Sequence, residues 1–100
     1  MVKHIVLFKL TSFSGEDDKK AQLKEMKKIF SVLPEELSYI VDFKTGINFT
    51  IADHAWDFAI DSVFSGRDEL KRYQESNEHL AAVKKASSIG KIKVVVDYEY

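Results

Sequence analysis

Two residue periodicities alternate along this chain, and their order is what most restricts the fold. From Val2 to Leu10 the side chains alternate with a period of two. Val2, His4, Val6, Phe8 and Leu10 share one face, and Lys3, Ile5, Leu7 and Lys9 the other, as in a half-buried strand. Leu37 to Lys44 alternates likewise, with Leu37, Tyr39, Val41 and Phe43 opposite Ser38, Ile40, Asp42 and Lys44. Trp56, Phe58, Ile60 and Phe64 mark one face of a third strand, opposite Asp57, Ala59, Asp61 and Val63. Lys91 to Tyr100 closes the chain as a fourth, with Ile92, Val94, Val96, Tyr98 and Tyr100 together on one face.

Helical spacing fills two of the gaps. Leu23, Met26, Ile29, Phe30 and Leu33 recur at intervals of three and four, the pattern of an amphipathic helix that Pro34 stops. Ser14 is its expected cap, because a serine oxygen accepts from free backbone N–H groups, and the acids Glu16 to Asp18 suit the positive end of the helix dipole. Ser65-Gly66-Arg67-Asp68 opens a second helix bearing Leu70 and Tyr73, which breaks around Ser76-Asn77. With Asn77 as the new cap, the helix restarts, carries His79, Leu80, Val83 and Ala86, and ends near Gly90. Gly46 to Ala55 shows neither period and reads as a loop.

The resulting order, βαββαβ, predicts an α+β, ferredoxin-like domain: a four-stranded antiparallel sheet with two helices on one face. Helices should cover the more apolar strand face. The opposite face would then carry Ile5, Leu7, Ile40, Ala59, Val63 and Val95 among Lys3, Lys9, Asp42, Asp61, Lys93 and Asp97. That much apolar area on one sheet face predicts a homodimer packed sheet to sheet.

One hundred residues suit a single domain spanning 1–100. The net charge of -1, from 15 basic and 16 acidic residues, provides no basic stripe for a nucleic-acid backbone. The lysines of the first helix alternate with acids and read as a solvated face. There is no cysteine, which removes disulfides, thiolate catalysis and thiolate metal sites. The opening apolar run is interrupted by Lys3, His4 and Lys9, so it is a poor signal peptide, and no run approaches the roughly 18 apolar residues that span a membrane. A cytoplasmic location, with no nucleic-acid or membrane partner, is the expectation.

Three histidines are available for chemistry. His4 lies on the apolar face of the first strand, Tyr73 faces the sheet with Leu70, and His79 follows the helix break. All three point to the space between the second helix and the first strand. His79, near the positive end of a helix, should stay neutral, the form a general base requires, and should partner the Tyr73 hydroxyl. The expected chemistry is proton transfer, with His79 as base and Tyr73 or His4 donating to a developing enolate or alkoxide oxygen. The alternative is a buried polar cluster that fixes the helix break. His54 sits in the polar loop and reads as solvated, and the histidine spacing suits no preassembled metal site. No metal or cofactor is expected.

MVKHIVLFKL, the turn and loop around Gly46 and Asn48, and above all FSGRDELKRYQESNEHLAAV, resemble the stress-responsive dimeric α/β-barrel (Dabb) family across nearly the whole chain. The resemblance implies a ferredoxin-like protomer that pairs through its sheets into a closed barrel. It also points to a plant member, olivetolic acid cyclase, which closes a linear polyketide by aldol condensation without a cofactor and whose acid–base residues match His4, Tyr73 and His79. The chain departs from the family pattern at Ser76 and Asn77, where histidine and proline are common, and this argues against a histidine-pair metal site. The implied function is cofactor-free acid–base chemistry on a small apolar, aromatic or carbonyl-bearing ligand. The alternatives are a non-catalytic stress-associated protein and, further off, a cofactor-independent monooxygenase like those built on related barrels, since fold alone does not transfer function.

Overall fold

The computed structural model describes residues 1–100. Four strands, β1 (Val2–Lys9), β2 (Asp42–Ile47), β3 (Phe58–Phe64) and β4 (Ile92–Glu99), form one sheet in the order β2-β3-β1-β4. Every pairing is antiparallel. The helices are α1 (Glu16–Ser31), α2 (Leu33–Glu36), α3 (Arg67–Glu75) and α4 (Asn77–Ala86). This is the ferredoxin-like arrangement that the periodicities predict. No helix is long and apolar enough to cross a membrane.

The core lies between the sheet and the helices, where β1 contributes Val2, Val6 and Phe8 and α1 contributes Leu23, Met26 and Phe30. The rings of Phe8, Phe30 and Phe58 meet with centroids 5.8 to 6.3 Å apart. Each such side chain, fully buried, contributes about 1.5–3 kcal/mol through area removed from water. A buried carboxylate ties this core together. Asp57 accepts the Leu10 N–H at 2.8 Å and pairs with Lys19 of α1 at 3.0 Å, while its own N–H donates to Phe8 and its carbonyl accepts from Asn48. With both its charge and its lone pairs satisfied, it clamps the end of β1 to the start of β3 and to α1.

Several elements differ from their sequence-based expectation. The second strand occupies Asp42–Ile47 instead of Leu37–Lys44, because Pro34 sits in the first turn of α2, where a missing N–H does no harm, and the chain needs Leu37 to Val41 to return to the sheet. Phe43 still faces the helices. Gly15, at φ 85°, is the cap residue of α1, and Ser14 is not. The Asp18 carboxylate reaches back to accept the Ser14 N–H at 2.8 Å, and that bond lowers its pKa below the usual carboxylate value. Leu80 is exposed, and α4 ends at Ala86, short of Gly90.

The largest departure is in β4, whose two faces are the reverse of those expected. Directly opposed residues in an antiparallel pair share a face. The register sets Asp97 opposite His4, Val95 opposite Val6 and Lys93 opposite Phe8, all on the helix side. Val94, Val96 and Tyr98 therefore join Ile5 and Leu7 on the open face, where they are 45%, 52% and 46% exposed. β4 is an edge strand with every residue exposed, so its apolar alternation does not report burial beneath the helices.

At the break between α3 and α4, Ser76 acts as the cap in place of Asn77. Its hydroxyl donates to the Tyr73 carbonyl at 2.7 Å and accepts the His79 N–H at 3.1 Å. Replacing Ser76 with alanine should cost about 1 kcal/mol, seen as a drop in melting temperature of about 4–8 °C. An unchanged melting temperature would mean that side-chain packing alone holds the break. Gly90 is required for a different reason: a Cβ there would lie 2.7 Å from Cδ1 of Phe8 and 3.0 Å from Cε of Met26. Gly90→Ala should destabilise the fold by about 1–3 kcal/mol in urea unfolding, the range for overpacking a close-fitted core.

Candidate functional site

His4 is the third residue of β1 and is 4% exposed. Ser62, its opposite number on β3, donates its hydroxyl hydrogen to the His4 carbonyl at 3.1 Å. Asp97, its opposite number on β4, hydrogen-bonds Nδ1 of the imidazole through Oδ1. A carboxylate only accepts, so Nδ1 carries the hydrogen between them, and the bond fixes the orientation of the ring. Asp97 is the site residue that sequence reasoning missed, having been placed on the open face. Its place shows only in the cross-strand register, which pairs the single aspartate of β4 with the single histidine of β1.

Tyr73 is in the last turn of α3 and is almost fully buried. Its ring packs against Phe64 at 5.0 Å and makes an edge contact with His4 at 6.1 Å. Burial, reinforced by the nearby Tyr39, pushes its pKa well above the ordinary 10.0 of a phenol, so the hydroxyl keeps its proton and can donate. The expected hydrogen bond from that hydroxyl to His79 is not formed. Instead the two rings pack against each other, with centroids 4.5 Å apart.

The helix break positions His79. As the third residue of α4 it gives its backbone N–H to Ser76, and its Nδ1 donates to the Gln74 carbonyl at 3.2 Å. That second bond sets the tautomer, because a carbonyl cannot donate, and it leaves a lone pair on Nε2. Burial lowers the His79 pKa below its ordinary 6.5; the Gln74 bond opposes this, and the charges of His4 and Lys93 add to it. At neutral pH the ring is therefore a neutral base.

His4, Tyr73 and His79 meet at one cavity of about 90 Å³ between α3, α4, β1 and β4. Val6, Ile60 and Val83 give it apolar walls. Drug-sized sites occupy about 300–1,000 Å³, so this space alone holds only a few heavy atoms. It adjoins a groove of about 250 Å³ between α4 and β4, sharing Phe8, Phe30, Val83 and Lys93 with it. Larger depressions of about 740 and 830 Å³ lie elsewhere on the surface, the first lined mainly by charged side chains of α2 and α3, the second under the β2–β3 loop, and neither contains His4, Tyr73 or His79. His54 is exposed in that same loop, apart from the cavity. A neutral imidazole, a protonated phenol and a carboxylate-oriented imidazole around an apolar space form an arrangement that can take and give protons.

Residues 2–100 match the family described as the stress responsive A/B barrel domain, Dabb. An uncharacterised protein of Streptomyces coelicolor is 31% identical over 100 residues, covering all of both chains. Among solved structures, a dimeric protein of ferredoxin-like fold from Bacteroides fragilis is 33% identical, with a TM-score of 0.84 over 99% of this chain and 95% of that one. A hydroxynitrile lyase from Passiflora edulis shares the fold at 21% identity, with a TM-score of 0.77 over 97% of this chain and 90% of that one. Sequence match, element order and strand topology agree that this chain belongs to the stress responsive A/B barrel (Dabb) domain family.

Proposed function

We propose that this protein is a homodimer, paired through the open face of its sheet, whose protomers each carry a cofactor-free acid–base site for a small carbonyl compound. The convergence of His79, Tyr73 and His4 on one cavity, with both imidazole tautomers set by Gln74 and Asp97, carries the catalytic reading. Nε2 of His79 removes a proton from the carbon next to the carbonyl. The electron pair of that C–H bond moves onto the carbonyl oxygen, where the Tyr73 O–H hydrogen-bonds the enolate. Returning the proton, or attack by the enolate carbon on a second carbonyl, completes exchange or condensation. A hydroxynitrile lyase on the same fold is consistent with carbonyl chemistry in such a barrel, though at that identity the likeness speaks for the fold alone.

The open face supports the dimer. Val94, Val96 and Tyr98 lie there beside Ile5 and Leu7, a stripe of apolar side chains that a monomer would leave in water. The Bacteroides fragilis protein of the same fold is dimeric. A glutamate at position 96 would place a charge in the middle of this stripe, and Val96→Glu is expected to sediment as a monomer where the parent chain sediments as a dimer.

A second reading has the 4.5 Å packing of Tyr73 on His79 in its favour: the cluster fixes the helix break and does nothing else. Deuterium uptake next to the carbonyl of acetylacetone and of acetoacetate, followed by proton NMR in heavy water, separates the two. Acid–base function predicts accelerated exchange that falls about 100-fold in His79→Gln and in Tyr73→Phe, while both variants keep the parent circular dichroism spectrum. A parent protein that accelerates neither compound, together with variants that lose stability, would leave only the structural role.

The pH dependence follows from the lowered His79 pKa. The unfolded chain binds a proton at this residue below about 6.5, where the folded chain still resists it, so stability is full above that pH and declines as pH falls beneath it. Exchange activity should fall in the same acidic range, because protonation occupies the lone pair of Nε2. His79→Gln should flatten the stability profile between neutral pH and the folded-state pKa, and an unaltered slope in urea titrations would contradict this assignment.

A further inference from the structure

We infer that the compound taken by this site is a keto acid, whose carboxylate is read by Lys93. This rests on the acid–base reading above and names its substrate class. Lys93 stands opposite Phe8 on the helix side of β4, where it borders both the cavity that holds His4, Tyr73 and His79 and the adjoining groove. It makes no ion pair, and neither does Lys91 farther along the groove, so both ammonium groups are free to meet an anion. No aspartate or glutamate lines either space. Asp97, the nearby acid on the same strand, is occupied by His4. The two adjoining spaces are thus positive in a chain whose net charge is -1.

The walls around Lys93 decide what sort of anion fits. Phe8, Phe30, Val83 and Ala86 make the groove apolar, and the polar groups along it are Ser87, Lys91 and Lys93. The Ser87 hydroxyl already donates to the Lys84 carbonyl. A single lysine at the junction matches a single negative charge on an otherwise apolar body. A carbonyl among Tyr73, His79 and His4, with a carboxylate at Lys93 and a hydrocarbon part in the groove, satisfies all three environments. Lys93 is then a specificity-determining residue. Its charge also helps hold His79 neutral, so one side chain serves both the recognition of the anion and the readiness of the base.

The test compares levulinate, acetoacetate and phenylpyruvate with their methyl esters, measuring affinity by calorimetry and exchange next to the carbonyl by NMR. The parent protein should bind the acids about tenfold more tightly than the esters, the worth of a charge-assisted hydrogen bond. In Lys93→Met that preference should disappear, with ester affinity unchanged, and in the parent it should shrink with added salt. Lys91→Met, farther from the cavity, should keep most of it. Equal affinity for acids and esters in the parent overturns the role of Lys93, and the acid–base reading then survives if ester exchange still depends on His79. Preference for the acids with no exchange of either kind overturns the acid–base reading and leaves an anion-binding site. Failure to bind any acid or ester overturns the inference outright.

Discussion

One hydroxyl group governs the arrangement of this molecule's polar interior. Ser76 sits between α3 and α4, donating to the Tyr73 carbonyl and accepting the His79 N–H. The end of one helix and the start of the next are thereby joined through a single side chain, and Tyr73 and His79 are the two residues that it holds. A helix that ran straight through this point would swing His79 away from its place over the Tyr73 ring, because residues six apart lie on widely different faces of an unbroken helix. The bend is what lets both rings face β1. The Gln74 carbonyl, freed from helical bonding by the same break, then accepts from Nδ1 of His79 and sets its tautomer.

Three proton-bearing groups are thus held in different states. Tyr73 is kept protonated by burial, His79 is kept neutral by burial, and His4 is oriented by Asp97. None of these settings needs an ion or an external group. They come from backbone carbonyls, a carboxylate and the exclusion of water, all supplied by elements whose position follows from the packing of Phe8, Phe30 and Phe58 beneath them.

Much of this was legible in the residues alone. The order of the elements, the inward face of β1 and the convergence of His4, Tyr73 and His79 all follow from periods of two and of three to four, because buried strands and helices leave those periods wherever one face is dry. Asp97 and Lys93 were not legible, and the reason is physical. β4 contains Val94, Val95 and Val96 in succession, so alternation fits either phase, and a strand at the sheet's edge has no helix cover to break the tie. Register against β1 decides, and register is a property of two strands, not of one. The position of β2 was hidden for a related reason: alternation continues through Leu37 to Val41, where the chain is only travelling back to the sheet. Ser76 and Asn77 are both good capping residues side by side, and only the geometry shows which oxygen reaches the His79 N–H.

The edge position of β4 has a consequence for timescale. Its hydrogen-bonding partner within the chain is β1 alone, and all of its residues are exposed. Such a strand is where local opening costs least, so its amides belong to the fast end of native-state hydrogen exchange while those of β1 and β3 follow global unfolding. Asp97 and Lys93 ride on that strand. Any opening of β4 would release His4 from its carboxylate and unmake one wall of the cavity, so the cavity would have a lifetime shorter than that of the fold. A second copy laid across Val94 and Val96 would lengthen that lifetime, and the concentration of the protein itself would then set how long each site stays assembled.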